Sequence, residues 1–485
     1  MYPDPSVCRA GDKFYMVTST FHFFPGVPLF ESDDMINWKQ IGHVLTRKSQ
    51  LDVTDIGASG GIYAPNIRYH DGRFYMVVTN VSNIGNFYVW TDNIYGEWSD
   101  PILVEQSGID PTLFFDDDGK TYFVSNGNDE NGTGYIQISE IDIETGKKLS
   151  ENKPLWYGTG GRYIEAPHVY KFKDYYYVLD AEGGTEYGHM VNYARSKNLM
   201  GPYEPCPSNP VLTNRDMGGY QLQGAGHGDI VEAPDGTWWF CHLAFRQTDR
   251  FMPFHHLGRE TCVQPVIWKD GWFYIGTKGQ ALLETEVDEV DIEHKIQKQN
   301  FSYEKTFENL SLKNDWNYLR NPVYENYKVL SDSIELKSTE ITLNEAKSPT
   351  WIGVRACEFE EDFSCDVLCS GGEAGLSIMM DENHHYEVFI KNENGKCTAN
   401  LRLRIGPCDY VKKSIGLNTN SARLRVLSNN YSYSFFVNEE CLGSADTRYL
   451  SSEVAGGFTG VYNGLFAVGN GQWNKFTDLK IIHKE

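Results

Sequence analysis

Along most of the chain short apolar runs alternate with polar positions and are broken by tight polar turns, and no stretch sustains the spacing of a long amphipathic helix. Five segments share one order of residues. Each has a proline or glycine turn, an apolar strand, a polar turn of the Asp-Gly kind and an aromatic strand. They begin at Asp4, Ala64, Asp110, Ala166 and Gly228 and run to Val17, Val77, Val124, Leu179 and Cys241. The pattern predicts a β-hairpin in every one. Successive starts lie 60, 46, 56 and 62 residues apart, which fits one four-stranded blade per repeat. Between the hairpins, Ser32-Asp-Asp-Met-Ile-Asn-Trp38, Asp92-Asn-Ile-Tyr-Gly-Glu-Trp98 and Ser196-Lys-Asn-Leu-Met-Gly-Pro-Tyr203 resemble one another. They would form the outer part of each blade.

The expected fold is all-β: a five-bladed β-propeller over residues 1–279, then a β-sandwich over 301–485. Residues 280–300 are charged and lack the hairpin pattern, as in Glu284-Thr-Glu-Val-Asp-Glu-Val-Asp-Ile-Glu293, and are expected to be the linker. Beyond them the strands alternate strictly, for example in residues 386–391, 400–405, 423–427 and 433–437. Asn394-Gly395 and Asn429-Asn430 are hairpin turns by type. Strict alternation suits antiparallel sheets with one solvated face.

Composition narrows the function. A length of 485 residues is enough for two domains or more, and 14% of residues are aromatic. Flat rings suit both β-structure and the faces of sugars. A formal net charge of −23 argues against nucleic acid or an anionic membrane as partner and is compatible with a neutral substrate. The ten cysteines show no disulfide framework. Cys8, Cys206, Cys241, Cys262, Cys357 and Cys441 read as small buried residues, and Cys365 with Cys369 lacks a second pair at zinc spacing. No apolar run reaches membrane-spanning length and no leader precedes Tyr2, so the expectation is a reduced, soluble, cytoplasmic protein.

A propeller brings the inner strand of every blade to one axis, so equivalent repeat positions meet at one mouth. Asp4 and Asp110 open their repeats in the same Asp-Pro setting, and Glu165 immediately precedes Ala166-Pro167. The matching residues elsewhere are Tyr63 and His227. Pro5 should push Asp4 toward an extended backbone. Glycoside cleavage needs such a group: one carboxylic acid to protonate the leaving oxygen and one carboxylate on the anomeric side. Other clusters read as structural. Asp116-Asp-Asp118 sits on a hairpin tip, His255-His256 lacks metal-ligand spacing, and Trp238-Trp239 and Tyr175-Tyr-Tyr177 are strand aromatics suited to packing between blades.

Seven motifs in order carry a resemblance. They are Tyr2-Pro-Asp-Pro-Ser6, Ser19-Thr-Phe-His-Phe-Phe-Pro-Gly26, Ser59-Gly-Gly-Ile-Tyr-Ala-Pro65, Gly108-Ile-Asp-Pro-Thr112, Ile164-Glu-Ala-Pro-His168, Gly224-Ala-Gly-His-Gly-Asp229 and Leu257-Gly-Arg-Glu-Thr261. Together they resemble glycoside hydrolase family 43, above all its β-xylosidases with a C-terminal sandwich. The resemblance implies inversion, with Asp4 as general base, Glu165 as general acid, and Asp110 orienting the acid and tuning its pKa. It implies that Phe21, Tyr63, His227 and Arg259 line the pocket for the terminal sugar, with Phe458 of Gly456-Gly-Phe-Thr-Gly460 as a lid. It implies no required cofactor, although some members carry a calcium by the histidine matching His227.

The implied substrates are short xylo- or arabinoxylo-oligosaccharides, and the resemblance leaves room for a homo-oligomer. An exo-acting β-xylosidase is the first expectation, an α-L-arabinofuranosidase the second, and a catalytically silent sugar-binding propeller the third. Two features depart from the family. Asp4 stands almost at the start of the chain, where backbones ordinarily fray, so the expectation is either a short start that leaves the enzyme less than fully active or a base anchored differently. Tyr63 stands where relatives often have tryptophan, which implies an altered sugar preference.

Overall fold

A computed structural model describes residues 1–284, 304–311 and 313–483. The five hairpins grow into five antiparallel four-stranded sheets. Blade 1 is Ser6–Ala10, Lys13–Val17, Gly26–Ser32 and Lys39–Leu45; blade 2 is Asn66–His70, Arg73–Asn80, Gly85–Thr91 and Ile102–Leu103. Blade 3 is Thr112–Phe115, Thr121–Asn128, Gly134–Ile141 and Lys153–Trp156; blade 4 is Glu165–Phe172, Tyr175–Glu182, Met190–Ser196 and Glu204–Pro205. Blade 5 is Leu222–Glu232, Trp238–Arg246, Glu260–Lys269 and Trp272–Ile275. The Trp-containing motifs 32–38 and 92–98 fall between third and fourth strands, at the blade edges, as expected.

A buried polar knot ties the inner strands together around the axis. Asp229 of blade 5 accepts hydrogen bonds from Ser6 Oγ of blade 1 at 2.7 Å, Arg68 of blade 2 at 2.7 Å and the Tyr170 hydroxyl of blade 4 at 2.5 Å. Arg68 also meets His168 Nδ1 at 3.0 Å, and the Asn66 amide reaches Thr112 of blade 3 at 2.9 Å. Every blade therefore contributes to one hydrogen-bonded cluster below the mouth where the repeat starts converge. The Arg68 and Tyr170 partners, with His168, hold the Asp229 carboxyl far below the ordinary range although its burial alone would raise it.

The C-terminal part forms two eight-stranded sheets packed as a sandwich. One of them borrows a strand from the propeller: Phe23–Phe24 pairs with Asn317–Leu319. A single apolar cluster continues from Val17, Val27, Ile62 and Val78 of the propeller into Trp316, Ile352 and Leu465 of the sandwich. The two halves are thus bonded by backbone and by core, which fixes sandwich loops against the propeller mouth. Ser452–Ala455 is the one α-helix among the described residues.

Of the expected linker, residues 285–300 lie outside the described residues. The ten cysteines are free, but Cys441 is exposed and Cys262 and Cys357 are only half-buried. Cys441 lies on the outermost hairpin of its sheet, where one face is wet, so alternation sends it outward. Trp238, Trp268 and Phe172 pack edge to face with centroids 4.8–5.6 Å apart, the packing role expected of strand aromatics. Asp117 and Asp118 are exposed on their tip, whereas Asp116 accepts from Lys171 at 3.2 Å and bridges blades 3 and 4.

Candidate active site

Asp4, Asp110 and Glu165 reach one cavity of about 470 Å³ at the mouth of the propeller. Phe21, Tyr63, His227 and Arg259 line it too, and Phe458 enters from the sandwich. All eight residues picked from the sequence therefore meet. The local backbone explains how. Asp4, Asp110, Ala166 and His227 have φ of 56, 53, 53 and 40°, the left-handed region that L-residues avoid. Register breaks follow Glu165 and flank His227. At each of these points the backbone leaves the extended form, and Asp4, Asp110, Glu165 and His227 line the cavity there.

Asp4 corrects the extended-backbone expectation, since its φ is 56° in spite of Pro5. A left-handed residue costs about 1–2 kcal/mol, and what Asp4 gains is larger. Its carboxylate accepts from Arg259 Nη1 at 2.6 Å and Nη2 at 3.3 Å, and from Ser19 Oγ at 2.5 Å. Charge-assisted forked pairs of this kind are among the strongest hydrogen bonds in proteins. Asp4 is not loosely held: it is 4% exposed, and the Met1 side chain packs with Phe23, Trp351 and Tyr462.

The electrostatics split the three carboxyls. Burial alone would raise Asp4, but the Arg259 guanidinium, His227 at 3.8 Å and the Ser19 hydroxyl outweigh it and hold the group below its ordinary value. Burial pushes Glu165 up to about 7, with the Asp4 charge adding and Arg259 opposing. Asp110 is raised well above its ordinary value by burial, then by Glu165 and Asp4. It accepts the Ala166 N–H at 3.3 Å, which ties it to the backbone just after Glu165. The cavity therefore holds an ionised carboxylate and a carboxylic acid together near neutral pH. Burial lowers His227 from its ordinary value, with Asp4 opposing and Arg259 adding.

An aromatic wall closes one end. Phe458 stacks on Phe21 with centroids 6.0 Å apart and meets Tyr63 edge-on at 5.7 Å. Arg259 lies 5.7 Å from the Phe21 ring centre and 5.6 Å from that of Phe458, within cation–π reach. The Phe458 N–H donates to Ser59 Oγ at 2.8 Å.

Calcium takes six to eight oxygen ligands. Near His227 the carboxylates are Asp4 and Asp229, and each is already held by a guanidinium. These residues do not fit a protein-caged calcium. Among the described residues no cluster of three or more His, Cys, Asp or Glu side chains could hold a metal.

Several cavity residues escape sequence reasoning. Thr185 accepts from Arg259 at 2.9 Å, His189 is buried in the wall, and Tyr163, Tyr187, His255 and Glu453 form the outer rim. Most sit on connections outside the repeat register. Tyr163 carries a legible signal only through its nearness to Glu165.

Comparison with known proteins decides the family. The glycosyl hydrolases family 43 model matches residues 1–273, and a β-xylosidase C-terminal concanavalin A-like domain matches residues 304–480. The chain belongs to glycosyl hydrolase family 43. It is 40% identical to a non-reducing end α-L-arabinofuranosidase of Bacteroides ovatus, over 98% of this chain and 91% of that one. It is 34% identical to a xylosidase/arabinosidase of Butyrivibrio fibrisolvens, over 97% and 95%. The xylan β-1,4-xylosidase structure from Bacillus halodurans superposes with a TM-score of 0.89 at 30% identity, covering all of this chain and 98% of that one. Family 43 membership makes the protein a glycoside hydrolase, which removes the silent-propeller expectation. Family 43 chemistry generally needs no cofactor.

Proposed function

We propose that this family 43 enzyme is an exo-acting, inverting hydrolase that removes one terminal pentose, with β-1,4-linked xylo-oligosaccharides as the first substrate class. Glu165 protonates the leaving glycosidic oxygen. Asp4 takes a proton from the water that attacks the anomeric carbon from the opposite face. Asp110 accepts the Ala166 N–H and so fixes the backbone beside Glu165, orienting the acid. The observation that carries this reading is the divergence of protonation within one cavity: Asp4 is held charged while Glu165 titrates at about 7. Pairs of groups pushed apart in this way mark acid and base assignments. The dead end made by Phe21, Tyr63 and Phe458 supports exo action, because a chain has no way through it.

The second reading is α-L-arabinofuranoside cleavage, favoured by the full-length likeness to the B. ovatus arabinofuranosidase. Release rates from nitrophenyl β-D-xylopyranoside and nitrophenyl α-L-arabinofuranoside separate the two. Product NMR during turnover of nitrophenyl β-D-xylopyranoside, whose only sugar product comes from the cleaved anomeric centre, tests the stereochemistry: α-xylose must appear first, and β-xylose appearing first would refute inversion.

A further inference from the structure

Glu453 lies on the four-residue sandwich helix Ser452–Ala455 and belongs to no part of the repeat pattern. Its carboxylate is fully committed to the propeller. Oε1 accepts from the Tyr187 hydroxyl at 2.9 Å and pairs with His255 Nδ1 at 2.8 Å, and Oε2 accepts from the His255 backbone N–H at 3.0 Å. The two donors are themselves fixed by one ring. His255 stacks on Phe245 with centroids 3.9 Å apart, and Tyr187 meets the same ring edge-on at 5.1 Å. Phe245 is buried in the second strand of blade 5. A second backbone link, Ser452 N–H to His255 carbonyl at 3.3 Å, runs alongside.

Three residues after the helix the chain turns through Gly456 and Gly457 at φ 76 and 75° and delivers Phe458 onto Phe21. Both glycines take backbone conformations that other residues avoid, and they alone separate the helix from Phe458. Among the described residues, the side chains bonded to the Phe458 backbone are Ser59, through Oγ on its N–H, and Arg259 on its carbonyl, the latter at 3.4 Å. The position of Phe458 thus depends on where the helix is docked.

We propose that Glu453 is a positioning residue for the reaction: its bonds to Tyr187 and His255 clamp the sandwich helix to the propeller and so hold Phe458 as the end wall of the sugar cavity. This rests on the function proposed above only for its kinetic readout. Glu453 acts through Phe458, so its effect on turnover must disappear when Phe458 is gone.

The test is a double-variant cycle of Glu453→Ala and Phe458→Ala, with hydrogen exchange followed by mass spectrometry. Glu453→Ala alone is expected to raise KM by about tenfold with kcat changed less than about threefold, and to add less than about twofold in the Phe458→Ala background. Amides of residues 457–460 should exchange at least about tenfold faster in Glu453→Ala while blade amides keep their protection. Multiplying kinetic effects, or unchanged exchange at 457–460, would overturn the clamp. Exchange needs no turnover: a wild-type enzyme that cleaves neither sugar but loosens its lid in Glu453→Ala would refute the sugar assignment and leave the clamp standing. Should Glu453→Ala fail to fold, Tyr187→Phe, which deletes one hydroxyl, is expected to raise KM about two- to threefold with the same lid exchange pattern, and wild-type behaviour there would refute the proposal.

Discussion

Replacing Glu165 with glutamine removes one titrating proton from a cavity that is otherwise unchanged in shape. At pH 7 a carboxyl that titrates at about 7 is half protonated, whereas one at the ordinary glutamate value of 4.5 would be about 0.3% protonated. Burial and the Asp4 charge therefore supply about two orders of magnitude in available acid at neutral pH. In the wild type, kcat/KM should lose activity above an apparent pKa within about one unit of 7 and fall about tenfold per further pH unit. Xylobiose, whose leaving sugar needs a proton, should be hydrolysed about 10³-fold more slowly by Glu165→Gln. A nitrophenyl glycoside, whose leaving group departs without one, should lose less than about tenfold, and the alkaline limb should vanish. The assay is initial-rate kinetics of both substrates from pH 5 to 9. An alkaline limb that survives the substitution, or equal losses on the two substrates, would refute the acid assignment.

Other perturbations read other parts of the site. Arg259→Met leaves Asp4 buried without its counter-charge; breaking a buried pair costs about 3–5 kcal/mol. With the guanidinium gone, burial raises Asp4, so the loss should be full at alkaline pH and shrink as pH falls through the variant's raised Asp4 pKa, which thermal unfolding across pH can show. Arg68→Met should lower the melting temperature by about 5–15 °C, and adding Asp229→Asn should recover more than half of it, since the unpaired charge is then gone. Tyr163, 62% exposed at φ 55° on the cavity lip beside Glu165, should bind the leaving sugar: Tyr163→Ala is expected to raise KM for xylobiose about fivefold and leave inhibition by free xylose unchanged.

Much of this was legible in the residue order, for a definite reason. Each inner hairpin repeats the same succession of turn, apolar strand, tight turn and aromatic strand, and a ring forces equal positions of unequal repeats to one end. Counting the hairpins therefore gave five blades, and aligning them brought Asp4, Asp110, Glu165, Tyr63 and His227 together. Blade 5 was harder. Its inner strand starts at Leu222, six residues before the aligned Gly228, because two register breaks around Gly226 and Gly228 hide the extra residues. Arg68 is one polar position in an alternating strand, and only the closed ring shows it bonded to Asp229, 161 residues away. Glu453 and Tyr187 carry no signal in the sequence, and His255 reads there only as a structural histidine. They meet because Phe23–Phe24 enters the sandwich sheet and sets one domain on the other, a contact made by packing that no local pattern encodes.

The one expectation that failed inside the site is also informative. Pro5 disfavours the backbone Asp4 adopts, yet Asp4, Asp110, Ala166 and His227, from four different blades, all take a left-handed conformation at the same level of the ring. Four such residues at about 1–2 kcal/mol each amount to a sizeable fraction of a protein's net stability. Asp4 and Asp110 stand just before their inner strands, Ala166 is the second residue of its strand, and His227 lies within its strand between register breaks. An extended residue entering a blade continues the pleat and keeps its side chain within the sheet stack; a left-handed one breaks the pleat and turns the side chain to the axis. At Asp4 and Asp110 the left-handed residue is itself a cavity carboxyl, and at Ala166 it immediately follows one, so the strain lies where the ring presents carboxyls to its own centre. Buried pairs such as Asp4 with Arg259 and Asp229 with Arg68 offset it locally. Local propensity is overruled where the chemistry requires a direction the regular blade does not offer.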